Sequence, residues 1–282
     1  MLPVKIAVLS DFHIGRGARA KDLCPHSDIE LVDTDYKSVF LKFLRSEHLK
    51  ADYLILPGDM CHEGQPDEVD LASQLIWDTA NALGIPPKKI VFVPGNHDID
   101  WTAISAYPCD RSGFRRGQRY APLRNNEWIF AQIMNNGSGQ LLTPPHYIVW
   151  EFDNIVVVGY NSAWHDEPGD AVHHGLVDQQ ALLELEKYLN GIDLSPSRLR
   201  LFTVHHHPLL YSDPIPNEPD FSAMTNAENL LDLLRAKEFD LLVHGHKHKP
   251  CFKTQIIHSG FPLAILCSGS FSAKLVLTCI NH

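Results

Sequence analysis

Five short apolar segments each run into a polar motif of the kind that binds metal ions. The segments span residues 4–9, 53–56, 90–93, 199–204 and 240–243. The motifs that follow them are Asp11-Phe12-His13, Gly58-Asp59, Gly95-Asn96-His97-Asp98, His205-His206-His207-Pro208 and Gly245-His246-Lys247-His248. Such segments are typical of buried strands, and most are separated by stretches with helical periodicity. This alternation predicts parallel βαβ units, in which functional groups collect beyond the carboxyl ends of the strands.

The remaining pattern predicts two sheets packed face to face, with helices outside. Helices are expected at 35–49, 68–83, 178–189 and 226–236, a hairpin at 147–160, and further strands at 263–267 and 274–279. Residues 99–147 are irregular and rich in arginine, so we interpret them as an insertion or cap over the site. We expect a single domain over residues 1–282. The chain ends just after a predicted strand, so it could be a piece of a longer protein.

Charge and composition bear on partners and compartment. The 282 residues include 24 basic and 34 acidic side chains, a net charge of −10, which disfavours a nucleic-acid partner unless a local basic patch overrides it. No apolar run approaches the roughly 18 residues that a membrane span needs. Six cysteines without a CxxC pair argue against a disulfide framework or a thiolate zinc site. Since no signal peptide is recognisable, we expect a cytoplasmic protein.

The ordered set of motifs resembles the calcineurin-like metallophosphoesterase family, from Asp11 to His248. The resemblance implies a four-layer α/β/β/α sandwich of two mixed β-sheets flanked by helices, with two metal ions at the sheet ends. It implies ligands as follows: Asp11, His13 and His248 for the first ion, Asp59 as a bridge, and Asn96, His206 and His246 for the second. We chose His206 among the three consecutive histidines because the family's ligand usually lies two residues before the proline. The family also implies that His97 is a general acid and that Asp98 orients its ring.

The donor set indicates what such a site would do. Two divalent ions outweigh the charge of the two aspartates, so the site stays electropositive and attracts a phosphate anion. A water shared by the metals would lose its proton near neutral pH, and the resulting hydroxide could attack phosphorus in line. His97 would then protonate the leaving group. Imidazole, carboxylate and amide donors without thiolate favour manganese or iron, with zinc as an alternative.

We therefore expect a metal-dependent phosphoesterase acting on a small substrate, first of all a phosphodiester such as a cyclic nucleotide. The segment from Gly58 to His62 lacks the Gly-Asp-x-x-Asp-Arg-Gly pattern of the protein Ser/Thr phosphatases. Two alternatives stay open, a DNA nuclease of the same family and a metal-binding scaffold without catalysis. The acidic balance argues against the first. The presence of His97, Asp98 and every expected ligand argues against the second.

Four residues are candidates for contacting substrate. Arg115 and Arg116 could clamp a second phosphate or a nucleotide, because the guanidinium fork matches phosphate oxygens. The alternative for them is a solvated surface. Asn161 and Trp164 follow a predicted strand in a segment that resembles site-lining segments of phosphodiesterase-like relatives, although Trp164 could equally be core packing.

Overall fold

The protein is described from a computed structural model that covers residues 3–26, 35–105, 113–167, 173–210, 223–256 and 262–272. Within these ranges the strands form two sheets. The smaller sheet is parallel and contains β1 (Ile6–Val8), β2 (Tyr53–Leu56) and β3 (Ile90–Phe92) in that order. The larger sheet has the order β4-β5-β6-β7-β8-β10-β9. Its strands are β4 (Ser138–Gln140), β5 (Tyr147–Glu151), β6 (Ile155–Tyr160), β7 (Leu199–Val204), β8 (Leu241–His244), β9 (Pro250–Ile256) and β10 (Pro262–Ser268).

The larger sheet is mixed, and its parallel centre places the site. Strands β6, β7, β8 and β10 run parallel, whereas β4, β5 and β9 pair antiparallel at the two edges. The predicted hairpin is present as β5 and β6. Because β7 and β8 are parallel neighbours, the histidine motifs that follow them leave the sheet at the same edge.

The described helices are α1 (Tyr36–Ser46), α2 (Pro66–Leu83), α3 (Thr102–Ser105), α4 (Gly113–Gln118), α5 (Ala121–Asn125), α6 (Glu127–Gln132), α7 (Gln179–Leu189) and α8 (Ala227–Ala236). Local sequence explains where the longest begins and ends. A capping box between Gln65 and Glu68 starts α2, and Gly84 ends it in a left-handed conformation with φ 77°. Among the described residues, no helix combines the length and the apolar character needed to cross a membrane.

Two hydrophobic clusters separate the layers. On β6, Ile155 and Val157 face one cluster while Val156 and Val158 face the other, as strand alternation requires. The first cluster lies between the two sheets and extends to α1 and α2, and the second packs the larger sheet against α7 and α8. These layers confirm the predicted α/β fold of two sheets flanked by helices.

The 99–147 region contributes to the core between the sheets. Its buried side chains include Tyr120, Leu123, Ile129 and Ile133, all in the first cluster. The region therefore packs into the body of the protein as well as lying between β3 and β5, and its assignment as an insertion or cap stays a prediction. The strand expected at 274–279 lies outside the described residues.

Candidate metal centre

Five of the seven predicted ligands have a left-handed backbone conformation. Their φ angles are 55° for Asp11, 48° for His13, 54° for Asp59, 71° for His246 and 55° for His248. A non-glycine residue in this region is strained, typically by about 1–3 kcal/mol, and such residues concentrate at functional sites. The strain indicates that these side chains are aimed at a common point at the expense of local backbone preference.

Glycines let the motifs approach one another closely. A Cβ atom at Gly95 would overlap the side chains of Asp59 and His205, and one at Gly245 would overlap those of Ser10 and Asp11. The glycines of the Gly95-Asn96-His97-Asp98 and Gly245-His246-Lys247-His248 motifs are therefore explained by packing against the other motifs.

One cluster of ligand atoms comprises Asp11, His13, Asp59 and His248. His13 Nε2 lies 3.0 Å from His248 Nε2, and His248 Nε2 lies 3.2 Å from Asp11 Oδ1. His13 Nε2 is 3.7 Å from Asp59 Oδ2. Two ligand atoms that are each about 2.1 Å from one metal and at right angles lie about 3 Å apart. These spacings fit a single ion between the four side chains.

A second cluster adjoins the first through Asp59. His205 Nε2 lies 3.1 Å from Asp59 Oδ2 and 3.2 Å from His246 Nδ1. The other ring nitrogen, His205 Nδ1, donates to the Pro57 carbonyl at 2.8 Å, an arrangement that orients metal-binding histidines. Asn96 is 4% exposed, and its Oδ1 accepts no hydrogen bond from the described part of the chain. A buried amide oxygen without a donor fits a metal ion.

The geometry favours His205 over the predicted His206. All three of His205, His206 and His246 offer ligand atoms within 4.8 Å of one another. However, His206 Nδ1 lies 2.7 Å from Ser162 Oγ, and its Nε2 points toward Asp166 Oδ2 at 3.5 Å. His205, which the spacing to Pro208 does not select, is the histidine that lies between Asp59 and His246. Sequence reasoning gave no part to Ser162, since only the fold brings it to His206.

Burial governs the charge of the cluster. Desolvation lowers the pKa of His13 to about 3 and holds the pKa of His246 well below its usual value. Burial alone would lower the pKa of His205, but the Asp59 and Asp11 carboxylates and the Pro57 carbonyl together raise it to about 9. Burial would raise the pKa of Asp59, yet His205 and His97 together bring it well below its usual value. Because metals bind neutral imidazole, loading the site would release the His205 proton.

His97 is held at two points beside the first cluster. Its backbone N–H donates to Asp59 Oδ1 at 2.9 Å, and its Nδ1 donates to the His62 carbonyl at 2.7 Å. The ring lies edge-on to that of His13, with centroids 4.6 Å apart, and stacks on the His62 ring. With Nδ1 committed to a carbonyl, which can only accept, Nε2 is the nitrogen free to exchange a proton.

The expected contact between Asp98 and the His97 ring is wrong. The Asp98 carboxylate accepts the backbone N–H groups of Asp59, Met60, Cys61 and Gly95, at 2.8 to 3.0 Å. The turn at 96–98 directs this side chain toward the backbone of the Gly58-Asp59 motif, away from the neighbouring ring. Asp98 thus fixes the segment that carries Asp59, and the His62 carbonyl sets the His97 tautomer.

The structure also overturns substrate contact by Asn161 and Trp164. Asn161 is 1% exposed, and its side chain bonds Tyr120 Oη, the Ala163 N–H and the Leu141 carbonyl. Trp164 is 3% exposed and stacks on Tyr120 and on His146. Both side chains are packed in the interior, where a substrate cannot reach them.

The arginines of the 99–147 region bind the chain itself. Arg116 contacts His165 Nδ1 at 3.0 Å and donates to the Glu167 carboxylate. Arg119 donates to the carbonyls of Asp166 at 2.6 Å and Trp164 at 3.2 Å. The Arg115 side chain and all of Arg111 lie outside the described residues. Arg116 and Arg119 therefore fasten the 164–167 segment.

Comparisons with known proteins identify the family and the fold. The calcineurin-like phosphoesterase family model matches residues 4–250. Purple acid phosphatase PPD1 from yellow lupin (Lupinus luteus) is 13% identical with a TM-score of 0.58, and the match covers 99% of this chain but only 46% of the lupin chain. Phosphopantetheinyl hydrolase from Mycobacterium tuberculosis is 16% identical with a TM-score of 0.47, with 94% of this chain and 89% of that chain covered. A search of curated protein sequences found no significant match.

The family model covers most of the chain, and the lupin enzyme shares its fold. The family model spans the motifs from Asp11 to His248, so the predicted resemblance is confirmed. The His and Asp clusters supply the donors that metal-dependent members need. The chain belongs to the calcineurin-like phosphoesterase family, a family of metal-dependent phosphoester hydrolases.

Proposed function

We propose that this chain hydrolyses small phosphodiesters with two metal ions that share the Asp59 carboxylate. The first ion would be held by Asp11, His13, Asp59 and His248, and the second by Asp59, Asn96, His205 and His246. The observation that carries the proposal is the spacing of the ligand atoms, with neighbours 3.0–3.2 Å apart on both sides of Asp59. The buried Asn96 Oδ1, which lacks a donor within the described ranges, supports it.

The donor set favours manganese or iron, with zinc as the alternative, because imidazole, carboxylate and amide oxygens occur without thiolate. Ions bound there would stabilise negative charge on the phosphoryl oxygens and lower the pKa of a coordinated water. The protein's part is to fix the donors, and the left-handed backbone at Asp11, Asp59 and His246 is how the chain does so.

His97 is the proposed general acid for the leaving group. Its Nδ1 is engaged by the His62 carbonyl, so Nε2 is the atom that can deliver a proton. To act as an acid the ring must carry protons on both nitrogens, and the carbonyl at Nδ1 accepts one of them. The hydrogen bond from the His97 backbone N–H to Asp59 Oδ1 holds the acid next to the shared carboxylate.

The preference for a diester rests on charge. A phosphodiester carries a single negative charge, whereas a phosphomonoester carries up to two near neutral pH. Arg116 and Arg119 are engaged by acceptors of this chain, so neither is available to neutralise a second charge. The metals and neutral imidazoles would suffice for a monoanion.

The test is metal analysis combined with a substrate panel on one preparation. We expect two metal ions per chain, loss of hydrolysis on chelation, and a higher kcat/KM for bis-p-nitrophenyl phosphate than for p-nitrophenyl phosphate. A cyclic nucleotide and single-stranded DNA complete the panel. Chelator-resistant hydrolysis or a clear preference for the monoester would contradict the proposal. Salt-dependent DNA cleavage would favour the alternative of a DNA nuclease. Bound metals without turnover of any substrate would favour the alternative of a non-catalytic scaffold.

The acid role has its own test. His97→Ala should keep both metals and lose roughly 10²–10⁴-fold in kcat, the usual contribution of a general acid. The loss should be larger for diphenyl phosphate than for bis-p-nitrophenyl phosphate, because phenolate is the more basic leaving group. Equal losses on the two diesters would sink the acid role while leaving the metal site intact.

A further inference from the structure

Two carboxylates hold consecutive parts of the segment that begins with Asp59. Asp98 accepts the N–H groups of residues 59–61. Glu68, which is fully buried at the start of α2, binds the backbone of the residues that follow. Its Oε2 accepts the N–H groups of His62 at 3.2 Å, Glu63 at 2.8 Å and Gln65 at 3.4 Å. The whole segment from Asp59 to Gln65 is thus fastened by side-chain oxygens.

A helix cap does not require complete burial, so the position of Glu68 calls for a reason. Helix N-termini are commonly capped at the surface, where water completes the bonding. Burial raises the pKa of Glu68, and its bonds to the 62–65 backbone offset only part of that effect. The other oxygen, Oε1, lies against Gly15, where any side chain would overlap it. Glu68 therefore sits between the segment that follows His13 and the segment that contains His62.

One peptide group connects Glu68 to His97. The peptide between His62 and Glu63 has its N–H on Glu63 and its carbonyl on His62. The N–H donates to Glu68 Oε2 at 2.8 Å, and the carbonyl accepts His97 Nδ1–H at 2.7 Å. Because a peptide group is planar and its N–H and C=O point in opposite directions, fixing one end fixes the other. Glu68 thereby sets the direction of the carbonyl that orients the His97 ring.

We infer that Glu68 is a positioning residue for His97, acting through the His62–Glu63 peptide group to fix the ring and its tautomer. The inference rests on the proposed acid role of His97. It does not require Glu68 to touch substrate or metal. It predicts that the accepting oxygen matters, since that atom holds the peptide N–H, and that removing it affects proton delivery more than metal binding.

Three substitutions separate the oxygen from the charge and the volume. Glu68→Met keeps a side chain of similar length without a carboxylate, and Glu68→Asp keeps the charge but withdraws the oxygen by one methylene. Both should lower kcat for diphenyl phosphate roughly 10–100-fold, as expected for residues that orient a catalytic or ligand group. Metal content and KM should stay close to those of the parent protein. Glu68→Gln retains an acceptor of the same reach and should restore kcat to within about threefold.

Asp67→Met is the matched control, because Asp67 is an exposed acidic residue in the same first turn of α2. It removes a charge from the same helix terminus without reaching the 62–65 segment, so kcat should not change on either diester. If Glu68→Met does not fold, Glu68→Asp carries the test. A Glu68→Gln variant as impaired as Glu68→Asp would overturn the inference.

A double-mutant cycle with His97→Ala shows whether Glu68 affects kcat through His97 or through a general disturbance of the site. If Glu68 acts through His97, Glu68→Asp should have little further effect on kcat in the His97→Ala background, and it should show the same dependence on leaving group as His97→Ala. A full additional loss in that background, or equal losses on both diesters, would refute the positioning role. If His97→Ala itself shows no leaving-group dependence, the proposed acid fails instead, which keeps the two failures distinct.

Discussion

Two buried asparagines, Asn96 and Asn161, follow strands in the two sheets and differ in one respect. Their exposed fractions are 4% and 1%. The Asn161 side chain makes three hydrogen bonds, to Tyr120 Oη, the Ala163 N–H and the Leu141 carbonyl. Asn96 Oδ1 is buried with no donor in the part of the chain that the structure describes. Position after a strand suggests a site residue in both cases, and the unsatisfied oxygen of Asn96 is the difference that fits a metal ligand.

The same distinction separates larger regions. The motifs after β1, β2, β3, β7 and β8 bring together side chains that could hold metal ions. Those after β1, β2 and β8 do so with residues in strained backbone conformations. The segment after β6 turns its side chains into the core and is fastened by Arg116 and Arg119. Four pairs of substitutions test this comparison, in order of decreasing expected effect.

The largest effect is expected from Asp59→Asn, because this carboxylate belongs to both clusters. The amide keeps the shape but removes the charge that the two ions share. The content of both metal ions should fall. The rate of hydrolysis of bis-p-nitrophenyl phosphate should fall by more than about 100-fold, which is more than the loss expected when a residue that only orients a ligand is removed. Asp178→Asn, at the N-cap of α7, is the control and should retain both metals, since either residue caps a helix. If Asp59→Asn still bound two metal ions normally, the proposed bridging role of Asp59 would be wrong.

The second-largest effect is expected to differ between the neighbouring histidines His205 and His206. His205→Ala should lose the second metal ion and most activity, because His205 lies between Asp59 and His246. His206→Ala removes a ring held by Ser162, so the protein should keep both metal ions. Elemental analysis of the two purified variants gives the answer. If instead His206→Ala lost the second metal ion and His205→Ala kept it, His206 would be the ligand, as the spacing to Pro208 predicts.

The third effect sets the two asparagines against each other. Asn96→Ala should weaken binding of the second metal at least roughly tenfold, in calorimetric titration, while the metal-free protein keeps its stability. Asn161→Ala leaves three buried groups without their partner and should reduce the free energy of unfolding by about 1–3 kcal/mol, with metal affinity unchanged. Equal losses of metal affinity in the two variants would show that satisfaction of the side chain does not distinguish them.

The candidate ligands could be predicted from the sequence because each follows an apolar strand. The structure gathers six of them, Asp11, His13, Asp59, His206, His246 and His248, into groups that could hold metal ions. The sequence could not choose between His205 and His206, since that choice depends on contacts with Pro57 and Ser162, 148 and 44 residues away. The family resemblance implied that Asp98 orients His97, whereas a single turn directs the carboxylate elsewhere. The helices α3 to α6 have only four to six residues each, too few for periodicity to show. Their packing, and the burial of Trp164 on Tyr120, follow from tertiary contacts.

The smallest effect is expected from Arg116→Ala. Its partner Glu167 has a side chain that is 47% exposed, and partly exposed ion pairs contribute about 0–1 kcal/mol. The free energy of unfolding should fall by no more than that, and kcat/KM for either diester should stay within about threefold of the parent value. Glu167→Ala is the matched control, because removing either partner breaks the same pair. If Arg116→Ala alone raised KM strongly at constant kcat, the arginine would bind substrate after all, and the division between the strand-end clusters and the 161–167 segment would not hold.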